Sequence, residues 1–598
     1  MSAPRASASR ASALRAFASR ALVPRTPVPH PAAGHVFASF LVPALVGLAL
    51  GTLALWPALG PGFVLRYDMV FVPDPPIPAQ SGGFPRAVPS DLVVALLSSV
   101  LPGQIVQKAI LLGIFVLAAT GAAALVPGER RVARLVAAVF YAWNVYLAQR
   151  LLLGQWALLL GYAGLPWAVR AVTRGGMWRT VLALIPAAIG GFQAMLVSAM
   201  SVVPVAGRRA PRALLAVAVL SLPWLVPALG SSAVTDPAGV RAFAPRADGP
   251  LGTLGSLFTL GGVWNSGAAV PGQETWWSAL VRLAVAVAAV TGYALLARGW
   301  PPAGRVAGGG PVAKSGRGTA GGEPVAGNRR GPLGGGPDAG NGRGPLGGGP
   351  GAEGGRRRVA DEGRDGGRPA YWGGLTVASV AGLTVACAGA FLPGAVETLV
   401  GLWPGFGPLR DGQLYLAPFA LLQAVGLAAV TARLSPVIRP GMLVLPLLVL
   451  PTFAMGAFGR LVAVDYPRDW SGVRSVVDAD PAPGALLTLP WGAYRAFGWN
   501  GGRVVLDPAV KSFRREVVWN DGLPVGLGDG RTLVLAGEDP RARRVGAILA
   551  GAGPLTGPLA AEGISHVLIQ RSSENLFRSR LPGARLIFAG QELVLYRI

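Results

Sequence analysis

From residue 36 to about 459 the chain alternates long apolar runs with short polar connections, many of them bearing arginine. A run of about 20 apolar residues crosses a hydrocarbon core of roughly 30 Å as a helix. Such runs predict spans at about 36–58, 105–127, 213–230, 276–298, 373–394, 414–432 and 441–459, with a helical pair over 134–171. The segment 180–206 lies between two arginine-bearing loops and is short for two full crossings, so two short helices or a re-entrant pair broken near Gly190-Gly191 is expected. Counted as two, it brings the total to about 11 segments, within a range of about 10–12. Residues 89–100 read as a short amphipathic helix with Ser90 as its N-cap and Asp91 in its first turn. The loop 231–273 is longer than a connection requires, which favours a functional role.

The pattern changes at three places. Residues 1–35 carry Arg5, Arg10, Arg15, Arg20 and Arg25 with no acid, as expected of a disordered cytoplasmic tail. Residues 299–370 are rich in Gly, Pro and Arg and repeat an Arg-Gly-Pro-Leu-Gly-Gly-Gly-Pro unit from Arg330 and again from Arg343, which predicts a disordered cytoplasmic linker. Beyond about 460 the apolar runs shorten and take strand character at 486–489, 503–506, 532–535, 566–569 and 593–596, with helical stretches such as 540–562 between them. The expected organisation is therefore a tail (1–35), an N-terminal transmembrane bundle with outer loops (36–298), a linker (299–370), C-terminal transmembrane segments (371–459) and an extracytoplasmic α/β domain (460–598). The fold class is an α-helical polytopic membrane protein with a C-terminal α/β domain.

Composition agrees. Apolar residues make up 52%, charged residues 14%, and mean hydropathy is +0.49, outside the range of a soluble globular chain. The net charge of +25 rests almost wholly on arginine, with Lys108, Lys314 and Lys511 the only lysines. The arginines are scattered between apolar spans with no basic stripe, so the positive-inside rule accounts for them and a nucleic-acid partner is not expected. On that rule the N-terminus is cytoplasmic, the C-terminal domain extracytoplasmic, and the protein multi-pass in a bacterial plasma membrane. The Arg, Ala, Gly and Pro usage is that of a GC-rich genome such as an actinobacterial one. Cys387 is alone, and His30, His35 and His566 are far apart, so neither a disulfide nor a histidine metal centre is expected.

Candidate chemistry gathers where the first span ends, at Arg66-Tyr67-Asp68 through Asp74-Pro75-Pro76. The prolines forbid further helix, and Asp68 and Asp74, six apart, share a face if the stretch is extended. Their rival reading is a pair of solvating loop acids. Gln149-Arg150 and Gln155, bracketed by aromatics, read equally as a headgroup or substrate clamp and as an interfacial belt with a snorkelling Arg150. Arg410-Asp411 supplies a further charged pair in an outer loop. Trp470, Trp491, Trp499 and Trp519 read as sugar-stacking platforms or as core. No phosphate loop, dinucleotide fingerprint or hydrolase elbow stands in a credible context. No cofactor is demanded, and a divalent cation is left open.

The stretches Arg66 to Pro76, Asn144 to Tyr162, Leu409 to Tyr415 and Asp465 to Trp470 resemble those of GT-C-class multi-span glycosyltransferases of actinobacterial type, such as the arabinofuranosyltransferases that build arabinan. The resemblance implies an inverting enzyme that takes a sugar from a polyprenyl-phosphate donor to an envelope polysaccharide on the outer face, among membrane lipids. It implies Asp68 as catalytic base and Asp74 as second acid, with Arg66, Tyr67, Arg150, Gln155, Arg410 and Asp411 as donor and acceptor contacts. The alternative is a non-enzymatic membrane protein, either a lipid or polysaccharide translocator or an envelope scaffold.

Overall fold

The computed structural model describes residues 33–77, 88–127, 130–231, 235–301, 367–527 and 530–598. The tail up to residue 32 and the linker from 302 to 366 lie outside the described residues.

The bundle opens with helix α1 (Ala33–Leu55), which ends in a 3-10 turn, Trp56–Leu59. A short surface helix α2 (Ser90–Ser98) precedes α3 (Gly103–Ala124). Ser90 is not the N-cap: Pro89 occupies that position without a side-chain hydrogen bond, and Ser90 is already helical. Asp91 does sit in the first turn, where its carboxylate pairs with Lys511 at 2.9 Å. Helices α4 (Arg131–Ala142) and α5 (Val145–Leu152) form one buried leg. They break at Asn144, whose side chain accepts from Leu147 N and donates to Phe140 O, Tyr141 O and the Tyr162 hydroxyl, so the buried break is capped by its own side chain.

Then come α6 (Trp156–Arg174), α7 (Met177–Gly190), α8 (Phe192–Ala206) and α9 (Ala210–Leu229). Ala194 and Met195 of α8 pack with Val217 and Leu220 of α9, so the apolar stretch Phe192–Leu229 is folded back on itself. Further along stand α10 (Gly252–Phe258), α11 (Trp276–Leu295), α12 (Trp372–Phe391), α13 (Pro393–Leu402), α14 (Ala417–Arg433) and α15 (Gly441–Val449). Seven helices among the described residues are long and apolar enough to cross a membrane. Gly441–Val449 with Pro451–Gly459 adds a pair bent by 69°. The sequence-based count of about 10–12 also included α6 and α7, 19 and 14 residues long, and took the folded-back stretch as separate legs.

Small residues set the closest helix approach. A Cβ on Gly292 of α11 would lie 2.2 Å from Gly426 O, and one on Gly426 of α14 would lie 1.9 Å from Ala289 O. Backbones in contact at this distance gain dispersion energy that apolar burial cannot supply in lipid.

The C-terminal region carries a five-stranded sheet, in the order β10-β11-β9-β3-β6. Its strands are β3 (Ala485–Leu489), β6 (Val517–Val518), β9 (Ile564–Gln570), β10 (Arg585–Ala589) and β11 (Leu593–Arg597). The centre is parallel, β3 with β6 and β9, and the edge antiparallel. Period-two alternation sends Leu487, Leu489, Val567, Ile569 and Val594 to one face, packed on helices α17 (Pro540–Ala550) and α18 (Thr556–Ala561). Leu486, Leu568, Leu593 and Leu595 point the other way, towards α16 (Arg468–Ala479) and a core continuous with the bundle. Two hairpins stand off the sheet, β4 (Tyr494–Ala496) with β5 (Val504–Leu506), and β7 (Leu523–Gly526) with β8 (Thr532–Leu535). A two-stranded ladder, β1 (Phe63–Val64) with β2 (Ala463–Val464), ties the exit of the first helix to the exit of the last bundle segment.

Gly426→Val should lower the melting temperature of the detergent-solubilised protein by several degrees, because the overpacked contact costs on the order of 1–3 kcal/mol. Gly113→Ala, where an added Cβ meets nothing within 4 Å, should leave it unchanged or slightly higher. Equal melting of both variants would contradict the close helix contact.

Candidate functional site

The loop after β1 is held from both sides. Behind it, Gln107 of α3 acts as a strand substitute, its amide giving to Val64 O at 2.8 Å and taking from Val64 N at 2.9 Å. Arg66 and Met69 then close a tight turn through reciprocal backbone hydrogen bonds of 3.2 and 2.9 Å. Tyr67 lies in the left-handed region at φ 44°, which turns its peptide outward. Its N–H donates to Val504 O at 2.8 Å and its carbonyl accepts from Leu506 N at 2.9 Å, so β5 of the C-terminal region adopts the loop as an extra strand. On the bundle side Asp68 N donates to Leu153 O at 3.1 Å. Gly154 at φ +80° permits that contact, since a Cβ there would sit 2.2 Å from Met69 N.

Asp68 thereby receives a fixed direction. Its carboxylate accepts the hydroxyl of Tyr494 on β4, and the guanidinium of Arg150 on α5 is near enough to attract its charge. Arg150 is wholly buried and does not snorkel. It makes a bidentate pair with Asp411 at 2.9 and 3.0 Å, and also donates to Gln155 Oε1 at 2.8 Å and to Gln413 Oε1. Gln413 passes the network on to Gln149 at 2.8 Å and Gly261 O at 2.9 Å, and Gln149 donates to Asp248 at 2.9 Å. Asp248 also accepts from Gly262 N and faces Arg282 of α11 at 3.9 Å. In a low dielectric an unpaired polar group is costly, so each member enforces the next.

A second cationic group has no such compensation. Arg66 and Arg460 converge on the turn at Gly267 to Ala269, and Arg503 is near enough to act on the Arg66 charge. Arg66 donates to Leu152 O at 3.1 Å and Gly267 O at 2.6 Å, Arg460 to Gly267 O and Ala269 O, and Arg503 to Asn500 Oδ1 at 3.2 Å. Burial first, and then the charges of Arg460 and Arg503, hold the Arg66 guanidinium below its ordinary pKa, with Tyr67 acting the other way. Among the described residues none of the three is ion-paired with a carboxylate. An apolar groove runs down the outside of the bundle from this end, lined by Leu45, Leu48, Leu53 and Trp56 of α1 and by Met455. Met455 opens a left-handed turn through Phe458, with φ between 50° and 68°, and this turn swings Arg460 inward.

The structure thus brings Arg66, Tyr67, Asp68, Arg150, Gln155 and Asp411 to one end of the bundle and separates two other expected members. Asp74 has an 81% exposed side chain and faces Arg474 at 3.7 Å. The turn through Asp68 to Met69, with Val70 N bonded back to Asp68 O at 3.0 Å, breaks the extended strand on which the shared face with Asp68 depended. Arg410 diverges from Asp411, lying over Phe243 and 3.5 Å from Glu538. Trp470 and Trp499 pack with Phe63, Tyr466 and Phe497 in an aromatic cluster under the C-terminal sheet, which is core. Sequence reasoning missed Tyr494, Gln413, Arg460 and Arg503. Gln413 was findable beside Asp411, but nothing local marks the other three, which reach the site only through tertiary docking. Among the described residues no cluster of three or more His, Cys, Asp or Glu side chains is placed to hold a metal ion.

Arg150→Met should destabilise the folded protein by about 3–5 kcal/mol, because it strands the Asp411 carboxylate. Arg150→Met combined with Asp411→Leu should recover a large part of that loss in thermal melts. Strictly additive losses would contradict a direct pair.

No protein-family model and no curated protein matches this chain in sequence. The cryo-EM structure of the arabinofuranosyltransferase AftD from mycobacteria is similar at a TM-score of 0.51 and 14% identity, over 94% of this chain and 40% of that one. A mutant of the same protein gives 0.50 and 14% over 93% and 41%. This chain therefore spans about two fifths of the solved structures it matches, and what it shares with them is the fold.

Proposed function

We propose that the chain is a plasma-membrane glycosyltransferase-like enzyme of the GT-C type. It moves a sugar from a polyprenyl-phosphate donor to a cell-envelope glycan at the outer face, with inversion. The observation that carries this reading is the fixed carboxylate of Asp68, held by Tyr494 and near Arg150, two residues along the loop from Arg66, whose guanidinium lies in the field of Arg460 and Arg503 at the end where an apolar groove opens. A lipid phosphate matches that pairing, with its chain along α1 and its anion on Arg66, Arg460 and Arg503.

The step balances as follows. The Asp68 carboxylate takes the proton of an acceptor hydroxyl, the freed oxygen pair forms the new bond to the anomeric carbon, and the bond from that carbon to the phosphate oxygen breaks. The leaving electrons go to the lipid phosphate, whose charge the arginines stabilise. Asp74, on the surface, takes no part in this step. The protein's match to an arabinofuranosyltransferase fold supports a furanose donor.

Charge asymmetry supports the orientation. Arg130, Arg134, Arg209 and Arg433 bond to backbone carbonyls at the end of the bundle remote from Asp68, where residues 301 and 367 border the linker. The carboxylates of Asp68, Asp91, Asp248 and Asp411 all stand at the other end. By the positive-inside rule the arginine end is cytoplasmic. The non-enzymatic translocator reading gains little from the buried charges. Arg150 and Arg282 lie in spans, yet they are paired with Asp411 and Asp248 near one end of the bundle.

Everted and right-side-out vesicles supplied with decaprenyl-phosphate arabinofuranose and an arabinan acceptor test the proposal. Transfer should appear in right-side-out vesicles and fall at least about 100-fold with Asp68→Asn at unchanged melting temperature. Full activity of that variant would remove the proposed base, and activity confined to everted vesicles would reverse the orientation.

A further inference from the structure

We propose that Tyr494 is a positioning residue for the Asp68 carboxylate, so that the C-terminal region completes the reactive centre as well as covering it. The inference rests on the reading of Asp68 as base and deepens it.

Hairpin β4–β5 is built for such a task. One strand, β5, binds the Tyr67 peptide through Val504 O and Leu506 N, while the other, β4, delivers the Tyr494 hydroxyl to Asp68 Oδ1. Tyr494 is paired with Leu506 in the hairpin register, so the residue that orients the side chain lies directly opposite the one that grips the backbone. The hairpin itself is rigid. Arg495, next to Tyr494, makes a buried pair with Asp507 at 2.9 Å and donates to Leu489 O at 3.1 Å. Asp507 in turn accepts from Ala509 N at 3.0 Å. The Tyr494 ring also meets Tyr67 edge-on at 6.5 Å, which limits its rotation.

A phenol that donates to a carboxylate oxygen restricts the carboxylate's rotamer. Arg150 from α5 also attracts that charge, and it stays in place when Tyr494 alone is changed.

Tyr494→Phe keeps the ring and removes only the donor. With decaprenyl-phosphate arabinofuranose as donor, kcat should fall on the order of 10-fold to 100-fold with KM within about 2-fold, as for loss of one hydrogen bond to a charged group. Tyr494→His, which restores a ring donor, should recover part of kcat, and the melting temperature of both variants should stay within a few degrees of the parent. A wild-type kcat for Tyr494→Phe would overturn the inference if Asp68→Asn is inactive. Activity retained by Asp68→Asn would overturn the underlying reading instead. Loss of kcat with no recovery in Tyr494→His and a matching fall in melting temperature would mark Tyr494 as merely structural and overturn the inference.

Discussion

Everything at this end of the bundle depends on one short piece of backbone, Tyr67-Asp68, being hydrogen-bonded on two sides at once. Its bundle-side bond to Leu153 and its two bonds to β5 join a membrane helix end and a water-exposed module through a single dipeptide. A peptide left half-satisfied at a buried junction costs on the order of 1–3 kcal/mol per group, so the two bodies cannot separate there cheaply. The left-handed Tyr67 is what makes both sets of bonds possible, and Gly154 is what lets the helix end come close enough. Strain of this kind persists only where its surroundings over-determine it, and such places cluster at functional sites.

Around that junction the molecule separates two electrostatic tasks. The chain of Gln155, Arg150, Asp411, Gln413, Gln149 and Asp248 is charge-paired, and it fixes how the helices and outer loops meet. Its cost is desolvation and its return is register. The trio Arg66, Arg460 and Arg503 is the opposite case, with cations resting on carbonyls and an amide. Positive charge without a counter-ion is where an anion gains most. The aromatic cluster of Tyr466, Trp470, Phe497 and Trp499 supplies the apolar bed beneath both, and Tyr466 also donates to Phe71 O at 2.9 Å, pinning the loop beyond Asp68.

Periodicity carried the membrane helices and the five sequence-read strands well, because each is a local pattern whose partner is generic, either lipid or a sheet face. The short strands β4, β6, β7 and β10 were not legible. Three of them carry two to four residues, and their pairing is decided by tertiary contact. The same limit explains the site. Arg66 to Asp68, Arg150 and Asp411 stood out as polar residues in apolar surroundings. Tyr494, Arg460 and Arg503 look like ordinary surface residues until the C-terminal region docks. Asp74 was drawn in by alternation along an extended strand, and the turn at Asp68 to Val70 that breaks it is set by contacts with the bundle and with β5, which no spacing reveals. Burial of Arg150 ran against the snorkelling rule because Asp411, 261 residues away, is brought within 2.9 Å.

The docking of β5 on the loop is the claim on which the rest stands, and cross-linking reads it directly. In a Cys387→Ser background, Tyr67→Cys with Val505→Cys places two thiols on neighbouring strands in the observed parallel bridge. The account predicts near-complete disulfide formation under mild oxidation in native membranes, seen as an altered gel mobility that reductant reverses. Absence of a cross-link in folded protein, with both thiols free to react with maleimide, would contradict it.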